Sequence, residues 1–168
     1  MMKTTESNVR KELVRLVRST DLAEAHQILA TLKSMPPRII SPQLVALLMD
    51  KDAGIRWRAA DLLLNVNGRA NLRHVLTLLN DRDPDVRASV CFRMAERAPS
   101  SIAVDPLCNA LLHDRDSNVR FWAAHALGAY PNRKAIKALE QATSDQGRNY
   151  EDVPVAHAAR SSLAAIAR

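Results

Sequence analysis

Apolar residues recur along this chain at helical spacing, in short stretches that resemble one another. From Ser117 to Gly128, the residues Val119, Ala123, Ala126 and Leu127 fall on one side of a helix that turns about 100° per residue, and Phe121, His125 and Gly128 fall on the other. Asp114-Arg115-Asp116 introduces the stretch, and the same Asp-x-Asp-x-x-Val/Ile-Arg pattern occurs in Asp50 to Arg56 and in Asp81 to Arg87. The three arginines, Arg56, Arg87 and Arg120, lie 31 and 33 residues apart. Self-similarity at such a period predicts a solenoid, in which each unit buries its apolar side against the next rather than in one closed core.

The periodicity predicts two helices per unit. First helices are expected over about 42–49, 72–79, 102–112 and 133–142, and second helices over about 53–66, 84–97, 117–129 and 153–167. Asn67-Gly68, Ala98-Pro99-Ser100 and Pro131-Asn132 supply the breaker chemistry between them. Upstream, Val9, Leu13, Leu16 and Val17 give a helix from Ser7 to Arg18 its apolar stripe, and its basic surface suits a cap that keeps the end of the stack polar. Asp21 is the expected N-cap of a helix reaching about Ser34, with Glu24 completing a capping box. Met35-Pro36-Pro37 ends that helix, and Ser41 is expected to cap the next one, with Pro42 at its first position. At the far end Val155 to Leu163 repeats Val119 to Leu127, except that Ala156 replaces the arginine and Gln146 to Glu151 lengthen the preceding turn, as suits a last unit with no successor to bond. The expected organisation is one domain over 1–168, with a capping helix pair at 7–41, three central repeats and the start of a fourth at 42–145, and a capping helix at 146–168.

Composition adds to this picture. Four glycines, few β-branched runs and a predominance of alanine and leucine in the periodic stretches all favour an all-α fold. The formal charge of +6 comes mainly from arginine, 18 against 6 lysines, and is spread along the chain without a polybasic tail. Arginine suits fixed ion pairs better than a diffuse field. Cys91 and Cys108 have no metal-ligand spacing and read as reduced thiols. The sequence has no apolar core of a signal peptide and no run of about 18 apolar residues to span a membrane, so a cytoplasmic protein is expected.

Within each repeat the second aspartate, Asp52, Asp83 or Asp116, is placed to N-cap the following helix, with Pro84 at the first helical position of one of them. Arg56, Arg87 and Arg120 then fall in the first turn and a half, where the helix dipole disfavours a cation. A ladder in which these arginines donate to turn aspartates of their own or adjacent repeats offsets that. The doubled acids lack the glycine and closing glutamate of a calcium loop, and no metal or cofactor is expected.

This signature resembles HEAT-like repeats, in particular the short variety found in phycobilin lyase subunits and many small bacterial scaffolds. The resemblance covers about residues 42–168 through the motif and 7–41 through helix pairing. It implies a right-handed α-α superhelix of about five antiparallel helix pairs, second helices lining the concave face, and a partner that is another protein. The iron hydroxylases built on related repeats use paired His-Glu motifs, and none occurs here.

Helical phase places two rows away from the core: Trp57, Ala88, Phe121 and His157, then Asp61, Phe92, His125 and Ser161. Concave aromatics with interspersed charges are what an interaction surface needs, so Trp57, Asp61, Phe92, Arg93, Phe121, His125 and His157 are the candidate binding residues, with no catalytic residue among them. Packing between helices is the alternative for Trp57 and Phe121, and Trp122 belongs with packing at the core boundary. Two other classes stay open. One is a chromophore-handling subunit, implied by the phycobilin lyase resemblance. The other is a nucleic-acid binder, since the Trp57, Asp61 and Arg93 grouping is similar to the concave site of HEAT-like alkylpurine DNA glycosylases, although no concentrated basic groove accompanies it.

Overall fold

The computed structural model describes residues 2–97 and 99–168, with side chains from residue 8 onwards except at 67 and 68; the Ala98 position of one expected separator lies outside the described residues. Its elements are α1 (Met2–Arg18), α2 (Leu22–Ser34), α3 (Pro37–Leu47), α4 (Ala53–Leu76), a short 3-10 helix (Thr77–Asn80), α5 (Pro84–Ala95), α6 (Ser101–His113), α7 (Ser117–Leu127), α8 (Arg133–Ala142) and α9 (Val155–Ile166). Among the described residues the only β pairing is an isolated bridge between Arg148 and Pro154. The all-helical fold of stacked pairs therefore stands as expected. The chain divides into two compact units, Met1–Val75 and Leu76–Arg168.

In the first unit α1 packs on α2 and α3, and its Val9, Leu13 and Leu16 are buried while Val17 is exposed. Three local expectations are corrected. Asp21 caps α2 by accepting from the Ala23 amide, but Glu24 closes no capping box, because Ser19 Oγ and Arg15 Nη2 hold its carboxylate at 2.8 Å each. The Asp21 amide turns to Ser19 Oγ instead. The helix expected from Pro42 starts at Pro37, a proline already suited to a first helical position, which leaves Pro42 inside it. Asn67-Gly68 does not interrupt the helical hydrogen bonding of α4. It marks a bend instead: Asn71 Nδ2 donates to the Leu63 carbonyl and to Ser41 Oγ, both at 3.3 Å. A straight helix would hold residues 63 and 71 about 12 Å apart along its axis, so α4 turns sharply between them.

The second unit has two layers. Helices α5, α7 and α9 pack side by side in one, and α6 and α8 cover them from the other. The seam of α7 is built from small residues, with Val119, Ala123, Ala124, Ala126 and Leu127 inaccessible to solvent. Helices pack closely where alanine and glycine face them: a Cβ added at Gly128 would come within 2.8 Å of Ser162 Oγ on α9. Ala88, expected on an outward row, is buried in this seam. Its methyl group is small enough for a neighbouring helix to cover, where Phe92 on the same helix remains 37% exposed.

Candidate interaction surface

The repeat motif positions everything else. In each turn the first aspartate accepts the amide two residues on, as Asp50 does from Asp52, Asp81 from Asp83 and Asp114 from Asp116. The second aspartate then caps the helix: Asp52 accepts from Gly54, Asp83 from Asp85, and Asp116 from Asn118 and Val119. The arginine's Nη1 bonds the carbonyl of its own turn's first aspartate, at 2.8 Å for Arg56 to Asp50, 2.8 Å for Arg87 to Asp81 and 3.0 Å for Arg120 to Asp114. In the second unit its other nitrogens fork onto the first aspartate of the next turn, Arg87 onto Asp114 at 2.7 Å twice and Arg120 onto Asp145 at 2.7 and 3.1 Å.

The ladder acids are thus Asp114 and Asp145, and Asp83 and Asp116 are caps. A carboxylate occupied by two helix-terminal amides faces along its own helix and not toward the preceding repeat. In the first unit Arg10 of α1 makes the same fork onto Asp50, at 2.6 and 3.3 Å, extending the ladder to a helix that lacks the motif. The pairing sets the charge state. Hydrogen bonds from Arg10 and Arg120 hold Asp50 and Asp145 below the ordinary carboxylate range. Burial alone would raise Asp114, but Arg87 and the Asp116 amide outweigh it and bring it down as well.

On the exposed side of α5 and α7 four rings meet edge to face. Trp122 is the hub, 4.9 Å from Phe92, 5.3 Å from Phe121 and 5.7 Å from His125 between ring centroids. Phe121 and Trp122 are half-buried, and His125 is exposed. Of the expected set, the second unit therefore brings Phe92, Phe121 and His125 together, through a residue assigned to packing. The signal for Trp122 was its adjacency to Phe121: neighbouring residues on a helix lie 100° apart, and a ring as long as indole spans that angle. Arg93 flanks the row and pairs with Glu96 at 2.5 Å. His157 and Ser161 stand exposed on α9. In the first unit Trp57 is half-buried with the Arg58 guanidinium 5.1 Å over its ring, and Asp61 is half-buried one turn on.

The lengthened turn before α9 is a strap over the amino ends of α7 and α5. Gly147 lies so close to α7 that an added Cβ would meet Arg120 Nη2 at 2.3 Å and Ser117 Cβ at 2.8 Å. Ser117 Oγ donates to the Arg148 carbonyl, and the buried Asn149 side chain accepts the Glu151 and Val153 amides. Asp152 completes the bend at φ 63°, in the left-handed region. At the tip, Tyr150 is 70% exposed and donates its hydroxyl to Asp85 Oδ1 at 2.9 Å. Asp85 and Phe92 are seven residues apart, and Ser117 and Phe121 four apart, so the strap crosses the same face as the ring row, at one end of it.

The bond to Asp85, with burial and the charges of Asp116, Asp85 and Asp83, pushes the Tyr150 phenol up to about 12. Because the base of the strap is packed and its tip rests on this bond, Tyr150→Phe should cost less than about 1 kcal/mol globally. It should nevertheless speed amide exchange at residues 148–152 several-fold while sparing α5 and α7, as hydrogen exchange read by mass spectrometry would show.

No group of three metal-binding side chains occurs among the described residues, and no helix among them is long and apolar enough to cross a membrane. Burial pushes up both thiols, Cys91 and Cys108.

Among solved structures, an engineered protein from the Northeast Structural Genomics Consortium is similar over 95% of this chain and 79% of its own, with a TM-score of 0.54 at 23% identity, a likeness of fold. A designed armadillo repeat protein matches over 94% of this chain and 99% of its own, with a TM-score of 0.42 at 16% identity. No curated protein matches the sequence. The family model for HEAT repeats matches residues 72–164, more than half of the chain and nearly all of the second unit. Carrying the Asp-x-Asp turns, the arginine forks and the paired helices over that span, the chain belongs to the HEAT repeat family.

Proposed function

We propose that this protein is a non-enzymatic interaction module that docks a segment of another protein on the exposed face of α5, α7 and α9. The observation that carries it is the edge-to-face row of Phe92, Trp122, Phe121 and His125, which leaves aromatic surface open to solvent on a rigid two-layer support. Aromatic side chains held by one another lose little entropy on binding and anchor interfaces out of proportion to their number. Arg93 and His157 flank this patch, and Trp57 with Asp61 forms a separate contact patch in the first unit. Affinity capture from the native cell, identification of the partner by mass spectrometry and titration of the purified pair would test it. Phe92→Ala and Phe121→Ala are each expected to weaken the complex about tenfold or more, with the helical circular dichroism unchanged. Equal affinity for both variants and the parent protein would remove the docking role from this face. A tetrapyrrole titration is expected to give no absorbance shift.

A further inference from the structure

We infer that the segment docked on this face is acidic with an apolar anchor: its apolar side chain meets the Phe92, Trp122 and Phe121 rings, and its carboxylates meet His125, His157 and Arg160. The inference rests on the docking role proposed above and adds the chemistry of the occupant.

It is carried by an asymmetry of charge across the second unit. Helices α7 (Ser117–Leu127) and α9 (Val155–Ile166) contain no acidic residue, while they carry Arg120, His125, His157 and Arg160. Arg120 is committed to Asp145. Arg160 gives one nitrogen to the Thr143 carbonyl at 2.8 Å and keeps the rest of its fork for a carboxylate. His125 and His157 are exposed imidazoles, groups that donate to carboxylates.

The acids bordering the face are already engaged. Asp85 accepts from Tyr150, Glu96 from Arg93, Asp116 from the first amides of α7, and Asp152 pairs with Arg148 at 3.3 Å. Glu151, exposed on the strap, stands at the amino end, and α9 begins at Pro154 where α5 and α7 begin at a capping aspartate. What the α7 and α9 part of the face offers a partner is therefore cationic and hydrogen-bond donating, directly beside aromatic surface. His125 joins the two halves, since its ring lies 5.7 Å from that of Trp122. A carboxylate that reaches this imidazole brings the neighbouring atoms of its segment over the ring row.

A random peptide library displayed on phage, selected against the immobilised full chain, tests this without knowledge of the natural partner. The expected consensus combines an aromatic or aliphatic residue with two or more acidic ones. A synthetic peptide of that consensus should bind less tightly as salt rises. His157→Ala and Arg160→Ala should each weaken it about fivefold, as loss of one charge-assisted hydrogen bond does, and Phe92→Ala should weaken it further. Both cationic positions are exposed, so circular dichroism of these variants should match the parent. Selected peptides that depend on Phe92 but carry no acidic residues, or that ignore Arg160 and His157, would overturn the acidic chemistry and leave the docking role standing. No enrichment, or peptides indifferent to Phe92→Ala, would overturn both. Displacement of the peptide by a random oligonucleotide to the same extent in parent and Phe92→Ala protein would overturn it in favour of plain polyanion binding.

Discussion

Arg87→Ala is expected to destabilise the second unit by about 2–3 kcal/mol at neutral pH, between the cost of breaking a buried ion pair and that of a surface one. The side chains of Arg87 and Asp114 are 14% and 8% exposed, and the pair is a two-bond fork at 2.7 Å. Removing the guanidinium strands the Asp114 carboxylate with the Asp116 amide as its remaining partner in the turn, and also frees the Asp81 carbonyl. Asp114→Asn in the Arg87→Ala background should recover part of the loss, because an amide oxygen can still accept from Asp116 and carries no charge to desolvate.

The pH dependence has a definite sign. In the parent, Asp114 and Asp145 titrate below their unfolded value, so their contribution is present above about pH 4 and is lost as pH falls through the lower folded values. In Arg87→Ala, burial acts on Asp114 with no guanidinium opposing it, and protonation then relieves the strain. The difference between parent and variant should therefore be large at pH 7 and small at pH 3, read as urea midpoints at both. An equal difference at the two pH values would show that the fork contributes through packing of the arginine stem alone. Lys134→Ala, which removes an exposed pair with Asp105, should change nothing measurable.

The motif made the fold legible because its residues act locally. A capping aspartate, a proline at the first helical position and a period of about thirty residues each have one structural meaning. The partner acids of the ladder were not legible: whether Arg87 reaches Asp83 or Asp114 depends on how far the next repeat is displaced, and a helical pattern carries no such distance. The same limit explains Arg10, whose helix shows only amphipathicity yet forks onto Asp50. At the surface, helical phase identified Phe92, Phe121 and His125, but it treated rows as independent. The rings meet through Trp122 because α5 and α7 approach along an alanine seam, and small residues announce close approach only once the neighbouring helix is known. Tyr150 lay in an insertion read as a terminal cap, and its bond to Asp85 spans 65 residues of sequence, beyond any local signal.

Leu127→Ala and Leu163→Ala should separate interior from terminal repeats, because the two leucines hold the same position in successive units. Leu127 is inaccessible, on a helix packed by α5, α6, α8 and α9, whereas Leu163 is half-buried on the last helix. Truncating Leu127 removes apolar contacts and leaves a cavity that its surroundings are poorly able to fill. The adjacent seam is made of Ala123, Ala124 and Ala126, whose methyl groups have no rotamers to move, and α7 is held in register by its forks to either side. A loss of about 3–4 kcal/mol is expected, toward the upper part of the range for buried leucines. Leu163→Ala exposes no comparable void, since water already reaches that side of α9, and the loss should be about 1 kcal/mol. Denaturant unfolding followed by circular dichroism measures both. Nearly equal losses would mean that a further layer covers α9 in solution, and that the strap and α9 do not end the stack as their sequence departures from the repeat imply.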